Sequence, residues 1–142
     1  MSKHYAHARW EGNLPQGKGV YTLKTSDYEG SLSFSSRFED NKKASSPEEL
    51  IAAAHASCFS MALAHALDQA NYKPEKVETD AEVTLAKTGD SFTITEVLLK
   101  TKGTVPEINK DKFEEIANTA KENCPVSKAL KGINISLQTQ LT

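Results

Sequence analysis

Two cysteines, Cys58 and Cys124, are the residues of this 142-residue chain best suited to covalent chemistry. A thiolate is a strong nucleophile, and a pair of thiols can cycle between dithiol and disulfide. Cys124 stands directly before Pro125. If that proline opens a helix, the sulfur lies at the helix's positive end, which lowers a thiol pKa. Cys58 lies within a run of small and apolar residues, where burial should raise its pKa and ionisation would require a nearby cation. By these residues alone Cys124 is the more acidic thiol. Each cysteine also fits the plainer description of a small buried hydrophobe.

Arg37 is the best cation candidate, one of two arginines beside fifteen lysines. Its guanidinium could hold a thiolate while pairing with a carboxylate through its planar fork, and it is expected to close a strand just before Phe38. An ordinary surface arginine is the alternative, which suits Arg9 better. Glu48, by its place in the first turn, would favour the helix dipole. His55 and His65 lie three and seven residues from Cys58, so a thiol–histidine pair is open beside a structural role for both. No compact pair such as CxxC accompanies them, so a metal site is not expected.

The element that must carry Cys58 is Ser45 to Tyr72, SSPEELIAAAHASCFSMALAHALDQANY. Pro47 suits the first helical position, Ser46 the N-cap, and Glu49 the third position of a capping box. From Leu50 to Ala64 there is almost no polar stripe, so the helix is expected to be enclosed by other elements. That run is short for a membrane span of about 20 apolar residues. The helix should end near Asn71, since Pro74 lies beyond.

Before it, residues near His4–Glu11, Gly19–Lys24 and Gly30–Phe34 read as strands of a small antiparallel sheet, followed by a polar loop from Glu39 to Ser46. After it, Val77–Leu85 and Phe92–Leu99 form a long hairpin whose second strand changes phase near Glu96, a sign of a bulge or a strand buried on both faces. Asn109 caps a helix with Phe113, Ile116, Ala117 and Ala120 on its buried face. Cys124-Pro125 breaks it, one or two turns follow to Gly132, and Ile133, Ile135 and Leu137 mark a last strand. The order βββαββαβ gives one α+β domain over residues 1–142, an antiparallel sheet wrapped around a buried central helix.

With 17 basic and 19 acidic residues and a formal charge of -2, nothing marks a nucleic-acid tract or a membrane patch. Met1–Trp10 lacks the apolar core of a signal peptide, and two cysteines do not make a disulfide scaffold, so a cytoplasmic location is expected.

SPEELIAAAHASCFSMAL around Cys58, ENCPVSKAL around Cys124, Arg37-Phe38-Glu39 and Trp10-Glu11-Gly12 together resemble the OsmC/Ohr family of thiol-dependent peroxidases, and within it the osmotically inducible OsmC branch. The resemblance implies an OsmC-like fold and an intertwined homodimer with active sites at the interface. It makes Cys58 the peroxidatic cysteine, Cys124 the resolving one, Arg37 the thiolate-activating arginine and Glu48 the residue that orients it. On this point it overrules the ranking of the thiols by acidity. Glu48 and Cys58 are ten residues apart, about 15 Å along a helix, so Arg37 must bridge them or a partner subunit supply one.

The implied reaction is reduction of organic hydroperoxides, and of hydrogen peroxide less well, through a Cys58 sulfenic acid and a Cys58–Cys124 disulfide. A dithiol, by resemblance a lipoylated protein, recycles the bridge, with no haem, flavin or metal required. Phe38, Phe59 and Met61 are expected to line an apolar pocket for the substrate. The competing reading is a redox sensor or small-ligand binder with negligible turnover.

Overall fold

The computed structural model describes residues 1–142, which form two compact units, Met1–Leu50 and Ile51–Thr142. In the first, β1 (Ala6–Glu11), β2 (Lys18–Leu23) and β3 (Tyr28–Leu32) make an antiparallel meander in that order. Tyr21 is buried, with its ring lying over the bare backbone of Gly30, where a side chain would collide with it.

The chain then departs from expectation. Arg37 belongs to a short helix, α1 (Phe34–Phe38), rather than to the end of a strand. Ser33 caps it: its hydroxyl accepts from the Ser36 N–H at 3.0 Å, and the Ser36 hydroxyl receives the Ser33 N–H in return. A serine at the third position does what glutamate usually does in a capping box. Ser36 also donates to the Ser45 carbonyl at 2.7 Å, and Ser45 N–H bonds the Ser31 carbonyl, tying the loop back to β3.

Helix α2 (Pro47–Gln69) starts as the sequence indicates, with the Ser46 hydroxyl accepting the Glu49 N–H at 3.1 Å. It ends with Asn71 at φ 63°, a left-handed residue that asparagine tolerates. Its 23 residues are long and apolar enough, by length and composition, to cross a membrane. A core helix passes the same test, and one face of α2 packs as a core helix does. His55, Phe59, Leu63 and Leu67, four residues apart, are buried, whereas Ala53, Ala54, Ser57, Met61 and His65 are exposed. In place of the expected full enclosure, burial within the second unit follows a single stripe.

In the second unit, β4 (Lys76–Thr88) and β5 (Ser91–Thr104) form the long hairpin. The pairing skips Thr95, since Thr84 faces Glu96 and Leu85 faces Ile94, which is the phase change legible in the sequence. Helices α3 (Lys110–Asn123) and α4 (Pro125–Ala129) then lead to β6 (Asn134–Leu141). Because these helices cross over between β5 and β6, the last strand returns parallel to β5, not antiparallel. The sheet order is β4-β5-β6.

Asn109 caps α3 by accepting the Lys112 N–H. Phe113, Ile116, Ala117 and Ala120 join Phe59, Leu63, Leu67, Val97 and Leu99 in one core. A hydroxyl chain fixes α2 against the sheet, Ser60 to Thr79 at 2.8 Å and Thr79 to Thr101 at 3.0 Å. Thr101 then donates to the Glu78 carbonyl. These bonds satisfy polar groups beside an apolar core and help fix where Cys58 stands on α2.

Candidate functional site

The second unit brings the two cysteines together. Their sulfurs are 2.9 Å apart across 66 residues of sequence, and both thiols are free. A disulfide of about 2.05 Å is within less than about 1 Å of approach. Cys58 is partly exposed on α2, while Cys124 is fully buried. The backbone holds Cys124 at the junction of two helices, as C-cap of α3 and N-cap of α4, with its N–H bonded to the Ala120 carbonyl and its carbonyl to the Lys128 N–H.

Pro125 sets the backbone that follows the sulfur. It occupies the first position of α4, where its missing N–H costs nothing, and the next N–H groups have no partner within the helix. For Cys124, burial pushes the thiol up, but the polar surroundings provided by Cys58, Ser127 and Val126 outweigh it and bring the pKa down. For Cys58, burial pushes the thiol up and the bond to Cys124 adds to that, against a smaller opposing contribution from the Val126 N–H. In the folded dithiol the two shifts therefore run in opposite directions, Cys124 downward and Cys58 upward.

His55, left open in the sequence, is fully buried one turn before Cys58. Its Nε2 lies 2.8 Å from the Ser127 hydroxyl, and its Nδ1 is buried with no hydrogen-bond partner. Burial holds its pKa below the usual value of 6.5. The unfolded chain would bind a proton near that value while the folded protein does not, so stability falls as pH drops below about 6.5. The slope reaches at most about 1.4 kcal/mol per pH unit and ends once the folded histidine also titrates. Urea unfolding at pH 7 and pH 5.5 should show a smaller loss on acidification for His55→Gln than for the wild type. Equal losses would mean that His55 does not carry this effect.

Arg37 and Glu48 meet within the first unit. Arg37 Nε lies 3.1 and 3.3 Å from the two Glu48 carboxylate oxygens, and Nη2 lies 2.9 Å from Oε1. The Glu48 side chain is 9% exposed and that of Arg37 36%. The guanidinium carbon also lies 5.1 Å from the Phe38 ring centre, and Phe38 packs on Phe34 at 4.9 Å. One edge of the fork is thus fixed, while Nη1 makes no bond to Glu48. The sequence named this pair but not the helix α1 that presents it.

The residues expected to line an apolar pocket differ in burial. Phe59 is fully buried in the core, and Met61, two residues on, is 75% exposed; a two-residue step sends side chains to opposite sides of a helix. Phe38 serves instead as a platform for Arg37. His65 is exposed and outside the dithiol cluster. Sequence reasoning missed Ser127, whose only local signal is its place two residues after Pro125 in the first turn of a short helix.

The chain belongs to the OsmC-like protein family, whose model matches residues 39–138. Among characterised relatives, peroxiredoxin OsmC of Escherichia coli is 42% identical over 135 residues, 94% of this chain and 93% of that protein. Organic hydroperoxide resistance protein OhrB of Bacillus subtilis is 33% identical over 107 residues, covering 72% and 74% of the two chains. The crystal structure of that OhrB superposes with a TM-score of 0.73 at 26% identity, covering 97% of this chain and 98% of that chain. An OsmC-like protein from Mycoplasma pneumoniae shares the fold, with a TM-score of 0.76 at 15% identity, covering 99% and 98%.

Proposed function

We propose that this protein is a thiol peroxidase that reduces organic hydroperoxides, and hydrogen peroxide less well, using Cys58 as the peroxidatic and Cys124 as the resolving cysteine. The observation that carries the reading is the sulfur pair at 2.9 Å with one cysteine partly exposed and the other buried. Cys58 is the less enclosed of the two, and a sulfenic acid formed there already has its resolving partner beside it. The OsmC and OhrB relatives support the class of substrate by their names.

In the first step the Cys58 thiolate attacks one peroxide oxygen, the O–O bond breaks, and the departing alkoxide takes a proton to become an alcohol. Cys58 is left as sulfenic acid. Cys124 then attacks the Cys58 sulfur, the S–O bond breaks, and hydroxide leaves and is protonated to water. An external dithiol, by family resemblance a lipoylated protein, reduces the bridge. Since burial and Cys124 both disfavour a Cys58 anion, an added positive charge must supply it. Arg37, held by Glu48, takes that role by its match to the family motif.

A homodimer and a cytoplasmic setting complete the reading. The dimer is supported by the exposed residues of α2, the small Ala53, Ala54 and Ser57, which a second copy could approach closely, and the large apolar Met61. The test is steady-state consumption of cumene hydroperoxide with dihydrolipoamide, measured over a range of protein concentrations. Many equivalents per subunit are expected, with activity per subunit falling on dilution as dimers separate. Stoichiometric consumption without turnover would replace the enzyme by a sensor, and undiminished activity of a folded monomer would remove the dimer.

A further inference from the structure

A cleft of about 530 Å³ opens where α3, α4 and the start of β6 meet. Half-buried Ile133 and Ile135 give it an apolar wall, and it carries three lysines, Lys121, Lys128 and Lys131, against one carboxylate, Glu122. Glu122 lies 3.6 Å from Lys121 and offsets that cation. Lys128 and Lys131 are exposed and enter none of the chain's ion pairs. Two uncompensated positive charges therefore share one cleft on a chain whose formal charge is -2. The cleft is also tied to the redox centre. Lys121 stands in the last turn of α3 and Lys128 in the last turn of α4, on either side of Cys124, and the Lys128 N–H donates to the Cys124 carbonyl at 3.0 Å. The polar groups deeper in the cleft are already engaged: Ser127 is buried with its hydroxyl 2.8 Å from His55 Nε2, and Lys121 Nζ lies 3.4 Å from the Ile135 carbonyl oxygen. Only the exposed lysines remain to bind, which suits a carboxylate-bearing surface laid over the rim better than a small anion held inside.

We propose that this cleft is the docking surface for the protein that carries the recycling dithiol, an acidic protein whose carboxylates meet Lys128 and Lys131. The proposal rests on the peroxidase reading and gives a place to its last step. Exposed, unpaired lysines add little to stability and act instead on encounter, where they raise the association rate of an oppositely charged partner and orient it. A carrier docked there lies against α4, the helix that begins at Cys124. One thiolate of its dithiol attacks Cys58, the less enclosed cysteine. The S–S bond breaks, and Cys124 leaves as a thiolate and takes up a proton. The carrier's second thiol gives up its proton, attacks the mixed disulfide and displaces Cys58. The carrier is thereby oxidised to a disulfide by two electrons, and both cysteines are reduced. An uncharged small dithiol carries out the same exchange without using the surface.

The test follows reduction of the Cys58–Cys124 disulfide in the full-length protein by two reductants, a reduced lipoylated protein domain of net negative charge and uncharged dihydrolipoamide. Samples are quenched in time and free thiols are labelled and counted by mass spectrometry. With the wild type, the rate with the domain should fall by about tenfold as salt rises from about 0.02 M to about 0.5 M, while the rate with dihydrolipoamide stays nearly constant. Lys128→Glu combined with Lys131→Glu should slow reduction by the domain about tenfold or more at low salt and leave dihydrolipoamide within about twofold of wild type. Wild type and variant should converge at high salt, where the charges are screened. Lys128→Gln combined with Lys131→Gln should show a smaller loss of the same kind, which keeps the test valid if charge reversal disturbs α4. Unchanged reduction by the domain in both double variants overturns the docking surface alone, and binding of decanoate to the wild type but not to the variants would then give the cleft to a small anion. Equal slowing with both reductants also overturns it, as the mark of a displaced Cys124. A wild type that neither dithiol returns to the reduced state overturns the peroxidase reading as well.

Discussion

Cys58→Ser is expected to abolish peroxide turnover, down to the background reaction of hydroperoxide with the dithiol, while Cys124→Ser still consumes about one equivalent per subunit and then stops. The asymmetry follows from burial: Cys124 has no exposed surface, and Cys58 is partly open. It does not follow from acidity, which runs the other way. A serine at position 58 keeps the volume but replaces a thiolate with an alcohol that stays protonated at neutral pH. In Cys124→Ser the sulfenic acid has no partner at 2.9 Å and should be trapped by dimedone. Mass spectrometry after a single peroxide addition reads both outcomes. Turnover surviving in Cys58→Ser would reassign the peroxidatic role to Cys124.

Arg37→Gln is expected to slow the first oxidation of Cys58 roughly a hundredfold at pH 7, the scale of losing one preorganised charge at a reacting anion. Its rate should rise further with pH than that of the wild type, because the thiolate then forms only as solvent base increases. Glu48→Gln keeps the cation but weakens the hold on Nε and Nη2, and a loss of about tenfold is expected. Arg37→Lys should not restore the rate, since an ammonium cannot keep one edge on a carboxylate and offer another. Removing Arg37 also leaves a nearly buried carboxylate unpaired, at a cost to stability of about 1–3 kcal/mol, discounted because Arg37 is itself a third exposed. The double variant Arg37→Gln, Glu48→Gln removes that cost and isolates the kinetic effect. Stopped-flow measurement of Cys58 oxidation that finds the same rate and pH profile in Arg37→Gln would show that the charge acts elsewhere.

Much of the local structure is written in short-range chemistry. Ser46 and Asn109 cap helices because their side chains accept N–H groups a few residues on, and Pro125 breaks α3 from α4 because it cannot continue a helical ladder. The switch of phase around Glu96 exposed the bulge, since alternation has a period of two and one extra residue reverses it. Helix α1 escaped detection because five residues are too few to show a period, and because Ser36 stands where the familiar capping pattern has glutamate.

By itself, then, the sequence determined the helix that carries Cys58, the proline that opens a short helix directly after Cys124, and membership of the family through the two cysteine motifs. The tertiary structure alone decided the parallel direction of β6, because alternation records which face a residue takes and not which way the strand runs. It also decided that only one stripe of α2 is buried, that Phe59 and Met61 part company, and that His55 meets Ser127. Such pairings join residues far apart in the chain, where no local spacing constrains them, and they exist only once the crossover helices have brought Cys124 back against α2.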